Sequence, residues 1–422
     1  MTDRALTDNV CIFPDLCPVQ ELGSNPTIYQ ISPALLREAN ASPSYLRYGM
    51  LCMTLSHRMN RTRGEPGANH RDMAERFYKY RGEAIRSLRE FLSVESQCTT
   101  DVAIAGIVSL LLADAQQAAS LNWRPHVEAA IKLVHLRGGF GAVASSRMIQ
   151  PHLLFLCFVA VIGNTTCHAS DILMAPAHLG ALEAIMALSD TTITSFQMCP
   201  PSLFAEIIRI NYLRMQATEY HSQGLDPQEL APEAHSILER IHLFSPEHWA
   251  DTKPRSRQDW ALMGTIYQTS VALYCVSSLQ SLSVLPTSPS LREECASHAA
   301  LLHQLLTQAV TSPRIQRFTL WPLVVLGVEA ARGHPHPHPQ QQQQHEHEGS
   351  SGGGVGASAM RDFVAAQLPV LSRHVGTYVP LTALHVLERF WASGQTGWDA
   401  AFDRPYAFFT QLAVDTSRIL TD

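Results

Sequence analysis

Charge is scarce in this chain. Charged residues make up 16% of its 422 positions, and the net charge is −6. A chain of this balance offers no overall attraction to nucleic acid, so any contact with DNA needs a local patch or another module. No two of the nine cysteines form a C-x-x-C pair, and their irregular spacing argues against a disulfide framework and for reduced, buried thiols. The longest apolar run, Leu153 to Gly163, falls well short of the roughly 20 residues a bilayer span needs and reads as a buried helix. The opening MTDRALTDNVCIF has neither a basic start nor an apolar stretch, so no secretory signal is expected. The sequons at Asn40, Asn60 and Asn164 are then chance matches.

Chemical motifs are equally sparse. No Walker loop and no G-x-G-x-x-G follows a credible strand, and His345-Glu346 does not continue to H-E-x-x-H. Gly349, Ser351 and Gly353 fit G-x-S-x-G, but a nucleophile elbow needs a strand before it and a helix after it. Here glutamines and glycines stand instead. The histidines at 334, 336, 338, 345 and 347 are capable ligands in a segment that presets no geometry. No catalytic, cofactor-binding or metal-ligating residue and no cofactor is therefore expected.

What is abundant is apolar surface at helical spacing. Hydrophobic residues make up 46% of the chain, enough for a large core. Period-2 alternation is nearly absent, and the 3.6-residue period recurs throughout. Residues 102–115 (VAIAGIVSLLLADA) are apolar almost all round, as a central helix is. Val127, Ala130, Ile131 and Val134 share a face after Pro125, and Gly138-Gly139 predicts a left-handed stop. Phe204, Ile207, Ile208 and Met215 form a stripe after Pro201. So do Trp260, Met263, Tyr267, Val271 and Tyr274, with Ser256 and Asp259 at capping-box spacing. Ser290 with Glu293 predicts a second capping box, opening a helix through Leu291, Cys295, Leu302 and Leu306. Leu384, Leu387 and Trp391 repeat the period near the end.

Two stretches differ. Residues 333–357 combine alternating proline, polyglutamine and glycine-serine, which bury nothing, so a disordered His/Gln/Gly-rich insert between two helices is expected. Between Arg58 and Arg89 nine basic residues are interleaved with Phe77, Tyr78 and Tyr80. Glu65, Asp72, Glu75 and Glu83 dilute them, so the stretch reads as a solvated helix face rather than a phosphate-binding surface.

Five segments, taken in order, resemble the fungal-specific regulatory domain of zinc-cluster transcription factors. Met73 to Leu92 is similar to its early helix, and the apolar helix after Asp101 follows. Trp123, His126, Ala129, Ala130, Leu133 and the Arg137-Gly138-Gly139 turn resemble W-x-x-H-x-x-G-A-x-x-L-L, with Glu128-Ala129 in place of glycine-alanine. Leu320-Trp321-Pro322 through Gly327, Glu329 and Ala330 resembles the tryptophan-led helix, with Val328 where cysteine is common. Val386 to Trp391 resembles the closing segment.

The resemblance spans roughly residues 35–410 and implies an all-α, multi-helix regulatory domain. It would run over residues 35–422, behind a partly disordered segment 1–34 and with the insert inside it. Trp123, His126, Gly138, Gly139, Trp321, Pro322 and Trp391 are its expected structural anchors. The family's six-cysteine zinc module has no counterpart here: Cys11 and Cys17 lack flanking C-x-x-C pairs. Zinc and direct DNA contact are therefore not carried over. The expected function is transcriptional regulation, of a metabolic or biosynthetic pathway in many such proteins. Its setting would be the nucleus rather than the cytoplasm or a membrane. Its expected partners are other regulators or a second copy, with DNA reached indirectly or through a separate N-terminal module. A cytosolic helical scaffold is the alternative, and an all-helical enzyme is the more distant one.

Overall fold

A computed structural model describes residues 43–117, 123–146, 149–192, 198–253, 255–332 and 356–409. Outside them lie segment 1–34, all but the last two residues of the 333–357 insert, the histidine tract, the G-x-S-x-G match, Cys11, Cys17 and Asn40.

Among the described residues the regular structure is helical, with no strand. The helices are α1 (Ser44–Arg61), α2 (His70–Leu92), α3 (Glu95–Cys98), α4 (Asp101–Gln117), α5 (Trp123–Leu136), α6 (Phe140–Ala144), α7 (Gln150–Thr165), α8 (Ala175–Gly180) and α9 (Leu182–Thr192). There follow α10 (Pro201–Gln223), α11 (Ala231–Leu243), α12 (Pro246–Asp251), α13 (Arg257–Ser281), α14 (Pro289–Ala309), α15 (Leu320–Glu329), α16 (Ala357–Val375) and α17 (Val379–Ser393).

Burial follows the apolar pattern of each helix. Residues 103–114 of α4, 152–165 of α7 and all ten residues of α15 are buried, as sequences without a polar face require. By contrast α2 buries only Phe77, Ala84 and Leu88, a single stripe, and turns its charges outward. Helix α14 buries Cys295, Ala299, Leu302, Leu306 and Ala309 at the same helical spacing.

Helix α13 is the central post: α10, α11, α12, α14 and α15 all pack on it. At the other end α1 packs on α2 and α4, and α4 on α5 and α7. The circuit closes where α16 meets α1 and α17 meets α4. One contact fixes how α5 crosses α7. A side chain at Gly163 would put its Cβ 2.7 Å from two ring carbons of Trp123, so the indole occupies space that only glycine leaves open.

Several helix ends depart from expectation. Pro125 does not precede α5 but occupies its first turn, where a missing N–H costs no intrahelical bond. Ser256 precedes α13 but adopts left-handed backbone angles (φ 54°) and makes no side-chain cap bond. Asp259 instead accepts from Arg314 Nε at 2.8 Å. The cap of α14 is Ser288, two residues before the expected one. Its hydroxyl accepts from the Leu291 N–H at 3.2 Å, and Pro289 takes the first helical position. The glycine stop after α5 is present: Gly138 and Gly139 have φ of 94° and 91°, and the Gly139 N–H returns to the Val134 carbonyl.

Candidate functional site

The C-terminal end of α7 leaves carbonyls that its own helix cannot satisfy. A cation is brought to them. Arg214, wholly buried on α10, donates from Nη1 to the Asn164 carbonyl (2.8 Å) and to Tyr274 Oη (3.0 Å). From Nη2 it donates to the Cys167 carbonyl (2.8 Å) and to Asp399 Oδ1 (2.7 Å). Tyr274 passes its proton toward Asn211 Oδ1 (2.5 Å), and Asn211 Nδ2 donates to the Val161 carbonyl (2.9 Å). Trp398 donates to the Thr165 carbonyl (2.7 Å), while Trp321 donates to the Thr165 hydroxyl (2.8 Å). Burial works against the Arg214 charge, but Tyr274 and Asp399 outweigh it and hold the guanidinium protonated. Burial likewise pushes the Tyr274 hydroxyl far above its usual value. The hub thus ties α7, α10, α13, α15 and the segment around Asp399 through one set of polar groups, in which both terminal nitrogens of Arg214 are bonded while its buried Nε has no hydrogen-bond partner among the described residues.

A second polar cluster joins α2, α4 and α5. Asp114 is 2% exposed and accepts a bidentate pair from Arg81 (2.5 and 2.7 Å), and His126 Nε2 lies 3.0 Å from Oδ2, which also takes one of the Arg81 bonds. Burial would raise this carboxyl, but the Arg81 and His126 bonds prevail and hold it below the ordinary carboxylate value.

Between α5, α6, α7, α8 and α9 lies an apolar cavity of about 70 Å³, bordered by Val134, Phe140, Leu153, Cys157, His178 and Ile185. Ligand pockets for drug-sized molecules run to about 300–1,000 Å³. Burial pushes the Cys157 thiol up to about 12 and brings His178 down to about 4. At neutral pH the Cys157 thiol is therefore not ionised and the His178 imidazole is neutral, so neither is an activated nucleophile or a charged acid.

The expected anchors are placed as follows. Trp123 and Trp321 are each 3% exposed, and Pro322 is buried within α15. Trp321 stacks on Tyr267 with ring centres 6.0 Å apart. Trp391 is half-buried, and its N–H meets the Gly327 carbonyl at 2.8 Å. His126 belongs to the Asp114 cluster, and Gly138 with Gly139 form the turn after α5. The sequence pattern marks Trp321 and Tyr274 of the hub, but not Arg214, Asn211, Trp398 or Asp399. The available signal was a charged residue on a buried stripe: Arg214 stands seven residues after Ile207 and three after Asn211 on α10.

At least four of the nine basic residues of the stretch are held in ion pairs. Arg71 pairs with Glu75, Arg76 with Asp72, Arg86 with Glu83, and Arg81 with Asp114. Two of the sequons are also spoken for: Asn60 and Asn164 are buried and donate to the Gly376 and Leu173 carbonyls.

The sequence profile of the fungal-specific transcription factor domain matches residues 8–397. The chain belongs to that family. As a member of the fungal-specific transcription factor family it is a regulator of transcription. It is 45% identical, over 424 aligned residues, to the phomenoic acid biosynthesis cluster-specific transcriptional regulator of Leptosphaeria maculans (strain JN3). The alignment takes in 100% of this chain and 76% of that relative. No solved structure matches the chain. No helix among the described residues is long and apolar enough to cross a membrane.

Proposed function

We propose that this chain controls transcription of one biosynthetic gene set, acting in the nucleus as a helical regulatory module without catalytic activity. The observation that carries this reading is the 45% identity, running the length of the chain, to a biosynthesis cluster-specific regulator. Two features support an indirect route to DNA. The net charge is −6, and Arg71, Arg76, Arg81 and Arg86 of α2 are held in intrahelical and Asp114 ion pairs. A module so balanced gains little from releasing counterions off a phosphate backbone. Sequence choice then belongs to a partner, either another regulator or a second copy, or to a separate DNA-binding module. The Arg214 hub and the inert groups of the cavity support a non-catalytic reading, because their ionisable groups are used in packing.

Fusing the full chain to a heterologous DNA-binding domain beside a reporter tests the regulatory role. The expected result is a change in reporter transcript relative to the DNA-binding domain alone. A gel shift at physiological salt tests the route to DNA. The chain alone is expected to give only weak binding without sequence preference. A competitor-resistant, sequence-specific shift would refute the indirect route, and an unchanged reporter would refute the regulatory role of this chain.

A further inference from the structure

Away from the hub and the cavity, three metal-ligating side chains converge from two helices. Glu294 and His298 lie one turn apart on the same face of α14, and His242 stands at the end of α11. His242 Nε2 is 3.5 Å from Glu294 Oε1, and the two imidazole rings have centres 5.9 Å apart. One ligand atom from each of the three residues lies within 4.8 Å of the others. We propose that His242, Glu294 and His298 bind one divalent transition-metal ion, zinc foremost, and that the ion staples α11 to α14.

The chemistry of the donors fits. Two imidazoles and a carboxylate are a ligand set that zinc accepts, leaving a position for water. Bonds of about 2.0–2.1 Å place tetrahedral ligand atoms about 3.4 Å apart, close to the His242–Glu294 spacing. The remaining gap closes by a swing of the exposed His242 side chain. Access is open on the same side, because Glu294 is 39% exposed and His242 46%.

The backbone that carries the donors is already held. Both helices pack on α13. From α13, Gln268 Nε2 donates to the Ile241 and Phe244 carbonyls at 2.8 and 2.9 Å, clamping the turn that bears His242. On the other side Cys295, next to Glu294, is buried with Ala299 and Leu302, fixing the rotation of α14. A site whose supporting contacts are made without the ion loses little freedom when the ion arrives. An exposed His–Glu pair alone needs no such convergence of a second imidazole.

The test uses the full chain with the competing tract removed by His334→Asn, His336→Asn, His338→Asn, His345→Asn and His347→Asn. Titration calorimetry with zinc chloride is expected to show one saturable equivalent, and zinc is expected to raise the melting temperature. His242→Ala or His298→Ala should weaken binding by more than about 100-fold and abolish the thermal shift, since even supporting residues of metal sites cost 10–100-fold. His303→Ala, on the same helix but against Phe363, should leave both unchanged. Cobalt substitution supplies a readout independent of variant folding: visible bands of a low-coordinate nitrogen–oxygen site are expected. Absence of saturable zinc binding, a cobalt spectrum of the free aquo ion, or binding unaffected by the His242 and His298 substitutions would overturn the proposal.

Discussion

Arg214 and Asp399 meet at 2.7 Å across 185 residues of sequence, the guanidinium wholly buried and the carboxylate 10% exposed. Their contact joins the middle of the chain to its final described segment. Breaking a buried pair by removing one member costs about 3–5 kcal/mol, because the other charge is left without its partner. Asp399→Ala is therefore expected to lose about that much in urea or heat denaturation. An Asp399→Ala variant as stable as the parent would show that the Asn164 and Cys167 carbonyls suffice for Arg214.

The tryptophans should separate by burial. Trp123→Ala and Trp321→Ala each remove a fully packed indole and are expected to cost about 3–5 kcal/mol. Trp391→Ala should cost less, since that ring is half-buried. Gly163→Ala should mimic Trp123→Ala in part, because the new methyl forces the indole aside. Melting temperatures of the four variants check the order. Equal stability of the Trp391 and Trp321 variants would contradict it.

Acid should weaken the fold in two steps. His178 falls from an ordinary value of 6.5 to about 4 on burial, so the unfolded chain binds the extra proton first. Stability is then lost as pH drops from 6.5 toward 4, by about 3 kcal/mol over the full interval. His178→Leu should flatten the urea midpoint over that range, and an unchanged slope would contradict the assignment.

Asp114 acts lower on the pH scale. Its carboxyl is held below the unfolded value, so its contribution is present above about 4 and is lost as pH falls through the lower folded value. The gap in stability between parent and Asp114→Asn should therefore be largest near neutrality and shrink in acid. A gap independent of pH would assign the effect to lost shape rather than lost charge.

The helices were legible because burial against a core imposes a 3.6-residue period that local sequence displays. The stripes along α10, α13, α14 and α17 illustrate this. Caps were less legible, since a capping box is a short polar pattern that several neighbouring serines satisfy. At α14 the Ser288-Pro289 pair prevails over Ser290 because proline suits the first helical position. At α13 the acidic residue is drawn to Arg314, 55 residues away. The role of Arg214 was hidden for the same reason: its acceptors are backbone carbonyls and a carboxylate from distant segments. The His242–Glu294–His298 trio escaped notice too. Glu294 and His298 share one turn of α14, but His242 lies on α11, and only packing on α13 brings it to them.

The central claim, control of one biosynthetic gene set, is tested most directly by deleting the gene and quantifying transcripts genome-wide under conditions where the product is made. The account predicts a changed level confined mainly to one contiguous group of biosynthetic genes, restored when the full chain is returned. Transcript levels unchanged across every such group would contradict it.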